Sequence, residues 1–162
     1  MKRSPILLIL LVLVGLGVGG YLWHLNQPAP QINRTVDQLL DNVAHRKISL
    51  RNPAETRESL SEILAEEISL SGLPFLQDQK ASRETFLGHV EKFHNFTTFC
   101  EFSEIERQLR IEGNKAQAYR TTTVIVATGP DSRTEQDWKL TFDLQRRDRW
   151  RITGVQASPL SE

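Results

Sequence analysis

The chain has 162 residues, enough for one modest domain, and its 20 Lys and Arg residues balance its 20 Asp and Glu residues. Two of the basic residues, Lys2 and Arg3, precede an apolar run, so the chain beyond it carries 18 basic and 20 acidic residues. Because nucleic-acid binding needs a basic surface, this balance argues against a nucleic-acid partner. The single cysteine, Cys100, excludes an internal disulfide and a cysteine-rich metal site, and its apolar neighbours predict a small buried residue.

The run from residue 6 to residue 23, ILLILLVLVGLGVGGYLW, holds 18 residues without a charge. As a helix it would span about 27 Å, close to the thickness of the hydrocarbon layer. Tyr21 and Trp23 stand at its far end, where aromatic rings favour the membrane–water boundary. The run therefore predicts a transmembrane anchor. A cleaved signal peptide is the alternative, and it fits less well because the run is long and bulky residues follow it.

The flanking charges predict how the anchor is oriented. Lys2 and Arg3 favour the cytoplasmic side of an inner or cytoplasmic membrane, which places the C-terminal domain outside the cytoplasm, in the periplasm. Gly15 and Gly19 have the GxxxG spacing that permits helix pairing, so a homodimer is one possible assembly. The expected layout is an anchor at 1–23, a proline-containing linker at 24–33 and a domain at 34–158.

Three helices are expected in the first half of the domain. The first follows a capping-box pattern formed by Thr35 and Gln38. The second has Asn52 as its N-cap and proline in its first turn, and its apolar positions continue to Ile68. The third starts at Ser82 and ends near residue 95.

The periodicity then changes to two, which indicates strands. Ile105, Leu109 and Ile111 alternate with polar residues, although Arg107 interrupts the apolar row and suggests a bulge. Since the strands have apolar faces that only the helices can cover, the sequence predicts an α+β domain of about three helices on a curved antiparallel sheet of about four strands. These strands are expected at about 104–112, 115–128, 138–145 and 150–157.

The segments IEGNKAQAYRTTTVIV and WKLTFDLQRRDRWRITGVQAS, placed after a helical half, resemble the nuclear-transport-factor-2-like superfamily, which includes ketosteroid-isomerase-like and SnoaL-like domains. The resemblance covers about residues 34–157 and implies a cone-like α+β fold. It implies no single activity, because that fold hosts isomerases, dehydratases, polyketide cyclases, transport adaptors and parts of secretion machinery.

Catalytic members of this superfamily hold Asp, Tyr or His inside the cone, and the resemblance makes Tyr119, Asp137 and Asp143 the residues to test. Both aspartates alternate with apolar residues and are therefore expected on a solvated strand face. Tyr119, Trp138 and Phe142 are weak candidates for the lining of a pocket.

No other pattern predicts chemistry. His89 and His94 are five residues apart and do not share a helix face, and no metal-binding or phosphate-binding motif occurs in the domain. We therefore expect no catalytic residues, no metal and no cofactor. An arginine-rich turn around Asp148 could bind an anion or a lipid head group, but its hairpin setting favours an ordinary solvated turn. Its arginines are Arg146, Arg147, Arg149 and Arg151.

Three functions remain open at this stage. The anchor and the lack of a catalytic pattern favour a membrane-tethered, non-enzymatic module that binds a protein or a small apolar ligand outside the cytoplasm. The second is an isomerase-like or dehydratase-like enzyme with an acid–base residue in the cone. The third is a structural component of an envelope or secretion assembly.

Overall fold

The computed structural model describes residues 27–46, 52–73, 76–77 and 79–160. The anchor predicted at residues 6–23 lies outside them, and no helix within these ranges is long and apolar enough to cross a membrane. The chain divides into two compact units, Met1–Gln31 and Ile32–Glu162. The described helices and strands belong to the second unit, except that residues 28–31 of the first helix belong to the first unit.

The first helix, α1, spans Pro28–Val43 and so begins earlier than the capping pattern at Thr35 predicted. Thr35 is buried inside the helix instead of capping it. Proline is tolerated in a first helical turn, and Ile32, Val36 and Leu39 are buried at helical spacing. Residues 28–33, which were expected to be linker, are consequently helical.

The other two helices begin where the sequence predicted. In α2, Pro53–Ile63, the Asn52 side chain accepts a hydrogen bond from the Ala54 amide at 3.0 Å. In α3, Arg83–Phe96, the Ser82 hydroxyl accepts one from the Thr85 amide at 3.1 Å. In both helices, a side chain that can accept a hydrogen bond from the first backbone amides marks where the helix begins, so the start can be predicted from local sequence alone.

The predicted extension of the second helix to Ile68 is wrong. α2 ends at Ile63, and Leu64–Ser71 forms strand β2. Leu64 and Ile68 are four residues apart, a spacing that satisfies the helical period and strand alternation equally well. Pairing decides between them, because β2 lies between strand β7 (Trp150–Pro159) on one side and strand β3 (Gln79–Ser82) on the other.

The sheet has seven strands in the described residues, so the expectation of about four is wrong. The four predicted strands are present and lie side by side, and the two-residue strand β1, His45–Arg46, borders the first of them. β2 pairs with β7 in parallel, whereas the other pairs are antiparallel. The four long strands are β4 (Phe99–Glu112), β5 (Lys115–Gly129), β6 (Ser132–Arg146) and β7, and the order is β1-β4-β5-β6-β7-β2-β3.

A bulge in β4 accounts for the interrupted apolar row. Glu104 pairs with Thr122, but Glu106 pairs with Thr121, so one extra residue is inserted between them. The insertion moves Ile105 off the alternation and leaves it 57% exposed. Further irregularities in β2, β5, β6 and β7 add to the bending of the sheet, in agreement with the predicted curvature.

One face of the sheet, here called the inner face, carries the core. Alternate residues of β6 are buried on it, among them Leu140, Phe142 and Leu144, and they join the buried residues of all three helices in one hydrophobic cluster. The opposite, outer face is polar along β5 and β6. The three described helices therefore pack on the inner face of the sheet, as the α+β prediction required.

Candidate functional site

A pocket of about 550 Å³ opens between α2, α3 and the start of β4. Apolar side chains form part of its lining, and three of them are almost completely buried: Leu60, Leu87 and Cys100. This volume and an apolar lining with a few polar groups are typical of small-molecule sites. The polar side chains around it are Asp41, His45, Thr56, Arg57, Glu91, His94, Asn95 and Glu101.

Two imidazoles lie against each other in the wall of this pocket. The ring centroids of His45 and His94 are 4.4 Å apart, with the planes tilted by 45°. They come from β1 and the last turn of α3, so the pairing strand brings together residues that are 49 positions apart in sequence. Neither histidine was expected to contact the other, because helical spacing alone relates only neighbours on one element.

The hydrogen bonds of both rings use Nε2 as a donor, and His45 Nδ1 also lies 3.4 Å from the Val43 carbonyl. His45 Nε2 lies 3.1 Å from the Thr97 carbonyl, which can only accept, and 2.9 Å from the Thr97 hydroxyl. That hydroxyl donates to the Phe93 carbonyl at 2.7 Å, so it too accepts from His45. His94 Nε2 lies 3.0 Å from the Val43 carbonyl and must likewise donate. The Nε2–H of each ring is thus used to join α1, β1 and α3.

The Cys100 thiol lines the pocket without being a nucleophile. The residue is 2% exposed, and burial raises the pKa of the thiol to about 12. The thiol is therefore protonated at neutral pH, whereas thiolate is the reactive form. The predicted role of Cys100 as a small buried residue agrees with this position.

An ion-pair group stands at the rim. The Arg57 guanidinium lies between two carboxylates of α3, donating to Glu91 at 2.7 Å and also pairing with Glu84. The hydrogen bond to Glu91 is the main cause that raises the pKa of Arg57. All three side chains remain partly exposed, so the group is screened by water and joins α2 to α3 without isolating a charge in the pocket.

A second polar cluster lies on the inner face, around Arg120 of β5. This side chain is 1% exposed. Its Nη2 donates to the Asn33 amide oxygen at 2.7 Å and lies 3.6 Å from an Asp37 carboxylate oxygen, and both partners belong to α1. Its Nε lies 3.1 Å from Glu104 Oε2, but the N–H is not aligned with that oxygen, so this contact is an ion pair without a hydrogen bond.

Arg107 extends the cluster, since its Nε donates to Glu104 Oε1 at 2.6 Å. The β4 bulge makes this contact possible, because it puts Glu104 and Arg107 on the same face although they are three residues apart. Two arginines and two carboxylates then neutralise one another. Arg120 Nη1 donates to the Tyr119 carbonyl at 3.2 Å and Nη2 donates to Asn33, whereas its Nε–H lacks an aligned acceptor. Because the carboxylates balance its charge, the cluster joins α1 to the sheet and offers no open anion site among the described residues.

The three residues predicted as pocket candidates are not among those that line this pocket. Phe142 is 1% exposed within the core, and Trp138 is half-buried against the same cluster. Tyr119 faces the other way: it pairs with Thr141, next to Phe142, so it lies on the outer face and its hydroxyl donates to Gln117 at 2.7 Å.

The two aspartates considered as acid–base residues lie where the alternation predicted. Asp137 is exposed and accepts a hydrogen bond from Thr123, and Asp143 accepts one from Gln117 at 2.8 Å on the outer face. The arginine-rich turn around Asp148 is also exposed, apart from half-buried Arg151. Backbone hydrogen bonds, followed by the neighbouring arginines, lower the pKa of Asp148, as in an ordinary charged turn.

No family model matches this chain, and a search of curated proteins finds no match. Solved structures do match. A candidate dehydratase of the nuclear-transport-factor-2-like family from Streptomyces avermitilis has a TM-score of 0.66 and 15% identity, over 83% of this chain and 97% of the other. A candidate scytalone dehydratase from Novosphingobium aromaticivorans has a TM-score of 0.64 and 12% identity, over 82% and 84%.

A nuclear-transport-factor-2-like protein with a cystatin-like fold, also from Novosphingobium aromaticivorans, has a TM-score of 0.61 and 14% identity, over 99% of this chain and 92% of the other. At such identities the likeness concerns the fold alone. The domain therefore has the nuclear-transport-factor-2-like fold that the closing strands predicted.

Proposed function

We propose that this protein is a membrane-anchored module whose extracytoplasmic domain binds a small, partly apolar molecule in the pocket between α2, α3 and β4. The pocket itself is the observation that carries the proposal. Its volume of about 550 Å³ lies within the range of ligand sites, and its lining joins buried apolar side chains to a ring of polar ones.

Binding without catalysis is favoured by how the polar groups of the wall are used. The Nε2–H groups of His45 and His94 donate to main-chain carbonyls, and the Cys100 thiol is held protonated by burial. Groups of this kind give a pocket its shape and a fixed set of contacts. They do not include an activated nucleophile.

The anchor belongs to the proposal because of the sequence alone. An uncharged run at 6–23 behind Lys2 and Arg3 would hold the domain at the outer side of the membrane. A tethered domain of this kind meets ligands that reach the membrane surface, and a partly apolar pocket suits such molecules.

An isomerase-like or dehydratase-like activity is the second candidate, and the His45–His94 contact is what favours it. Imidazole is a side chain that serves as a general acid or base, and two of the similar structures above are candidate dehydratases. In that case His45→Gln, which keeps a donor for the Thr97 carbonyl, would abolish turnover of a bound substrate and leave its affinity nearly unchanged.

Filling the pocket tests the leading proposal. Val90 is 7% exposed, lies on α3 and lines the pocket. In the chain from residue 27 onward, Val90→Phe is expected to weaken binding of the fluorescent probe 1-anilinonaphthalene-8-sulfonate by roughly tenfold. Lys92→Phe, on the exposed side of the same helix, is the matched control.

Thermal unfolding of both variants checks that each is folded. Equal probe affinity in the wild type and in folded Val90→Phe would show that the probe binds elsewhere and would remove the support for a ligand site here. Loss of binding in both variants would do the same, because the effect would no longer depend on the pocket.

A further inference from the structure

Most of β4 forms an open edge of the sheet. β1 pairs only with its first two residues, Phe99 and Cys100, and among the described residues no strand pairs with 102–112 on the side away from β5. An unpaired edge presents rows of backbone N–H and C=O groups that can pair with another strand. The part beyond the bulge, from Glu106 to Glu112, is regular and almost entirely exposed.

The hairpin fixes which of these groups face outward. Glu112 and Lys115 flank the two-residue turn and form its closing, hydrogen-bonded pair. Because hydrogen-bonded and non-hydrogen-bonded pairs alternate, residues 106, 108, 110 and 112 direct their backbone groups toward β5. Arg107, Leu109 and Ile111 direct theirs toward the open edge.

We propose that this edge pairs with the same edge of a second copy, antiparallel, around a two-fold axis at Gln108. In that register Glu106 lies opposite Arg110 of the partner subunit, and Arg110 lies opposite Glu106 of the partner subunit, on the outer face. Arg107 and Leu109 then exchange about four backbone hydrogen bonds with Leu109 of the partner subunit and Arg107 of the partner subunit.

Charge complementarity selects this register over its neighbours. An axis at Leu109 would put Glu106 opposite Glu112 of the partner subunit, and an axis at Arg107 or Arg110 would put an arginine opposite its own copy. Like charges directly opposite each other destabilise a pair of strands, whereas opposite charges stabilise it. Among the axes from Arg107 to Arg110, only the one at Gln108 places an acid against a base twice. An axis at Ile111 would also set Arg110 against Glu112 of the partner subunit, but the turn at Gly113 would end the paired stretch there.

The same geometry limits the assembly to two copies. A two-fold contact uses the same surface on both subunits and closes on itself. The bulge at Glu104/Glu106 ends the regular stretch, so the strands cannot slide into a longer ribbon. If the anchor holds both copies in one membrane, their effective concentration rises and a short interface becomes sufficient.

Gln108→Cys in the full chain, tested in membranes under mild oxidation, probes the axis directly. Gln108 would face Gln108 of the partner subunit as a non-hydrogen-bonded pair, with the Cβ atoms about 4.5–5.5 Å apart, within reach of a disulfide after small adjustments. We expect a cross-linked dimer that a reductant converts back to monomer.

Gln117→Cys is the matched control. Gln117 is exposed on the outer face of the sheet, as Gln108 is, but it belongs to β5 and lies away from the open edge. Wild-type protein, in which Cys100 is 2% exposed, is expected to stay monomeric on the same gel.

Charge reversals test the register. In the Gln108→Cys background, Glu106→Arg or Arg110→Glu alone is expected to lower the cross-linked fraction about tenfold, and the two together are expected to restore it. Cross-linking no better than in Gln117→Cys overturns the proposal. A dimer that resists both single reversals also overturns it, because pairing of the anchors through Gly15 and Gly19, or contact with another protein, would then explain the association.

Discussion

Arg120 is the largest side chain that the core buries completely, and its partners differ in how much water they keep. The Asp37 and Glu104 side chains are 45% and 33% exposed, whereas that of Arg120 is 1% exposed. A carboxylate at the margin can regain hydration if its partner is lost, but a buried guanidinium cannot. The cost of breaking this cluster should therefore depend on which member is removed.

We expect Glu104→Gln to lower the free energy of unfolding by about 2 kcal/mol, because it leaves Arg120 charged and short of a counter-ion. Arg120→Met keeps most of the volume and is expected to cost less, about 1 kcal/mol, because Glu104 and Asp37 can turn to water. Urea unfolding followed by tryptophan fluorescence measures both. A larger loss in Arg120→Met than in Glu104→Gln would contradict this account.

Because Cys100 is buried, the free energy of unfolding should depend on pH in the alkaline range. Burial raises the pKa of its thiol from 9.0 to about 12, so the folded state keeps a proton that the unfolded state loses. The contribution of the protonated, buried thiol to stability is fully present below pH 9 and is lost as the pH rises toward 12. Between pH 9 and pH 11 the thiol should account for a loss of about 2 kcal/mol.

Comparison with Cys100→Ala isolates this effect, since all other groups titrate equally in both proteins. We expect the variant to be less stable at pH 7, where a small cavity is its only change, but to lose less stability between pH 9 and pH 11. Parallel pH profiles for the two proteins would show that the thiol ionises as easily in the folded state as in the unfolded one.

Several side chains of the site could not be found from local patterns. The first two buried inward positions of β5 are alanines, and the series Ala116, Ala118, Arg120, Thr122 alternates as a core face does. That alternation was the signal for a buried arginine, but a charged residue in a strand is normally exposed. Its acceptors on α1 depend on how the helix crosses the sheet, which no local pattern specifies.

At the scale of elements, local chemistry predicted starts better than ends. Asn52 and Ser82 mark the first turns of α2 and α3 because a side-chain acceptor is needed there whatever the tertiary structure. The end of α2 is different. Residues 64–71 become a strand because β7 and β3 flank them, and that pairing joins segments far apart in the chain.

Gly72 is the residue on which the turn after β2 depends. Its φ is +64°, and a Cβ added there would lie 2.0 Å from the Ala157 carbonyl oxygen. Gly72→Ala is therefore expected to lower the free energy of unfolding by about 2–4 kcal/mol, from backbone strain and from displacement of β7. The same urea titration measures the change.

Gly88 is the matched control for that substitution. It lies in α3, and a Cβ added there would meet nothing within 4 Å. Gly88→Ala is expected to stabilise the protein by about 0.5–1 kcal/mol, because alanine has the higher helix propensity. Equal effects at the two positions would mean that the close approach at Gly72 relaxes easily.

At the scale of the whole molecule, the fold class and the last four strands were predictable, whereas the number of strands and the pocket were not. The alternation of the last strands and the turn at Gly113, whose φ is +61°, fixed the hairpins and so most of the sheet. The pocket depends on His45, His94 and Cys100, which belong to three different elements. Periodicity describes each element singly, so it cannot show which of their side chains meet.

The pocket, the open edge of β4 and the predicted anchor would act together in one arrangement. An anchor restricts the domain to a layer next to the membrane, and copies confined to that layer meet far more often than copies in solution. An edge that binds its own copy only weakly can then form dimers, while the pocket stays clear because it lies among α2, α3 and the beginning of β4. Membrane attachment is the condition on which this arrangement rests.

The anchor prediction is tested by changing its charges. A reporter that is active only outside the cytoplasm is fused after Glu162. In the wild-type fusion we expect the reporter to be active and the protein to sediment with membranes. Lys2→Glu with Arg3→Glu should lower reporter activity several-fold, because the predicted orientation depends on these two positive charges. Removing residues 1–26 should release the fusion protein into the soluble fraction and leave the reporter inactive. Soluble wild-type protein would contradict the anchor, and an inactive reporter on membrane-bound wild-type protein would contradict its orientation. Without the anchor, weak edge pairing would lack the confinement that it needs.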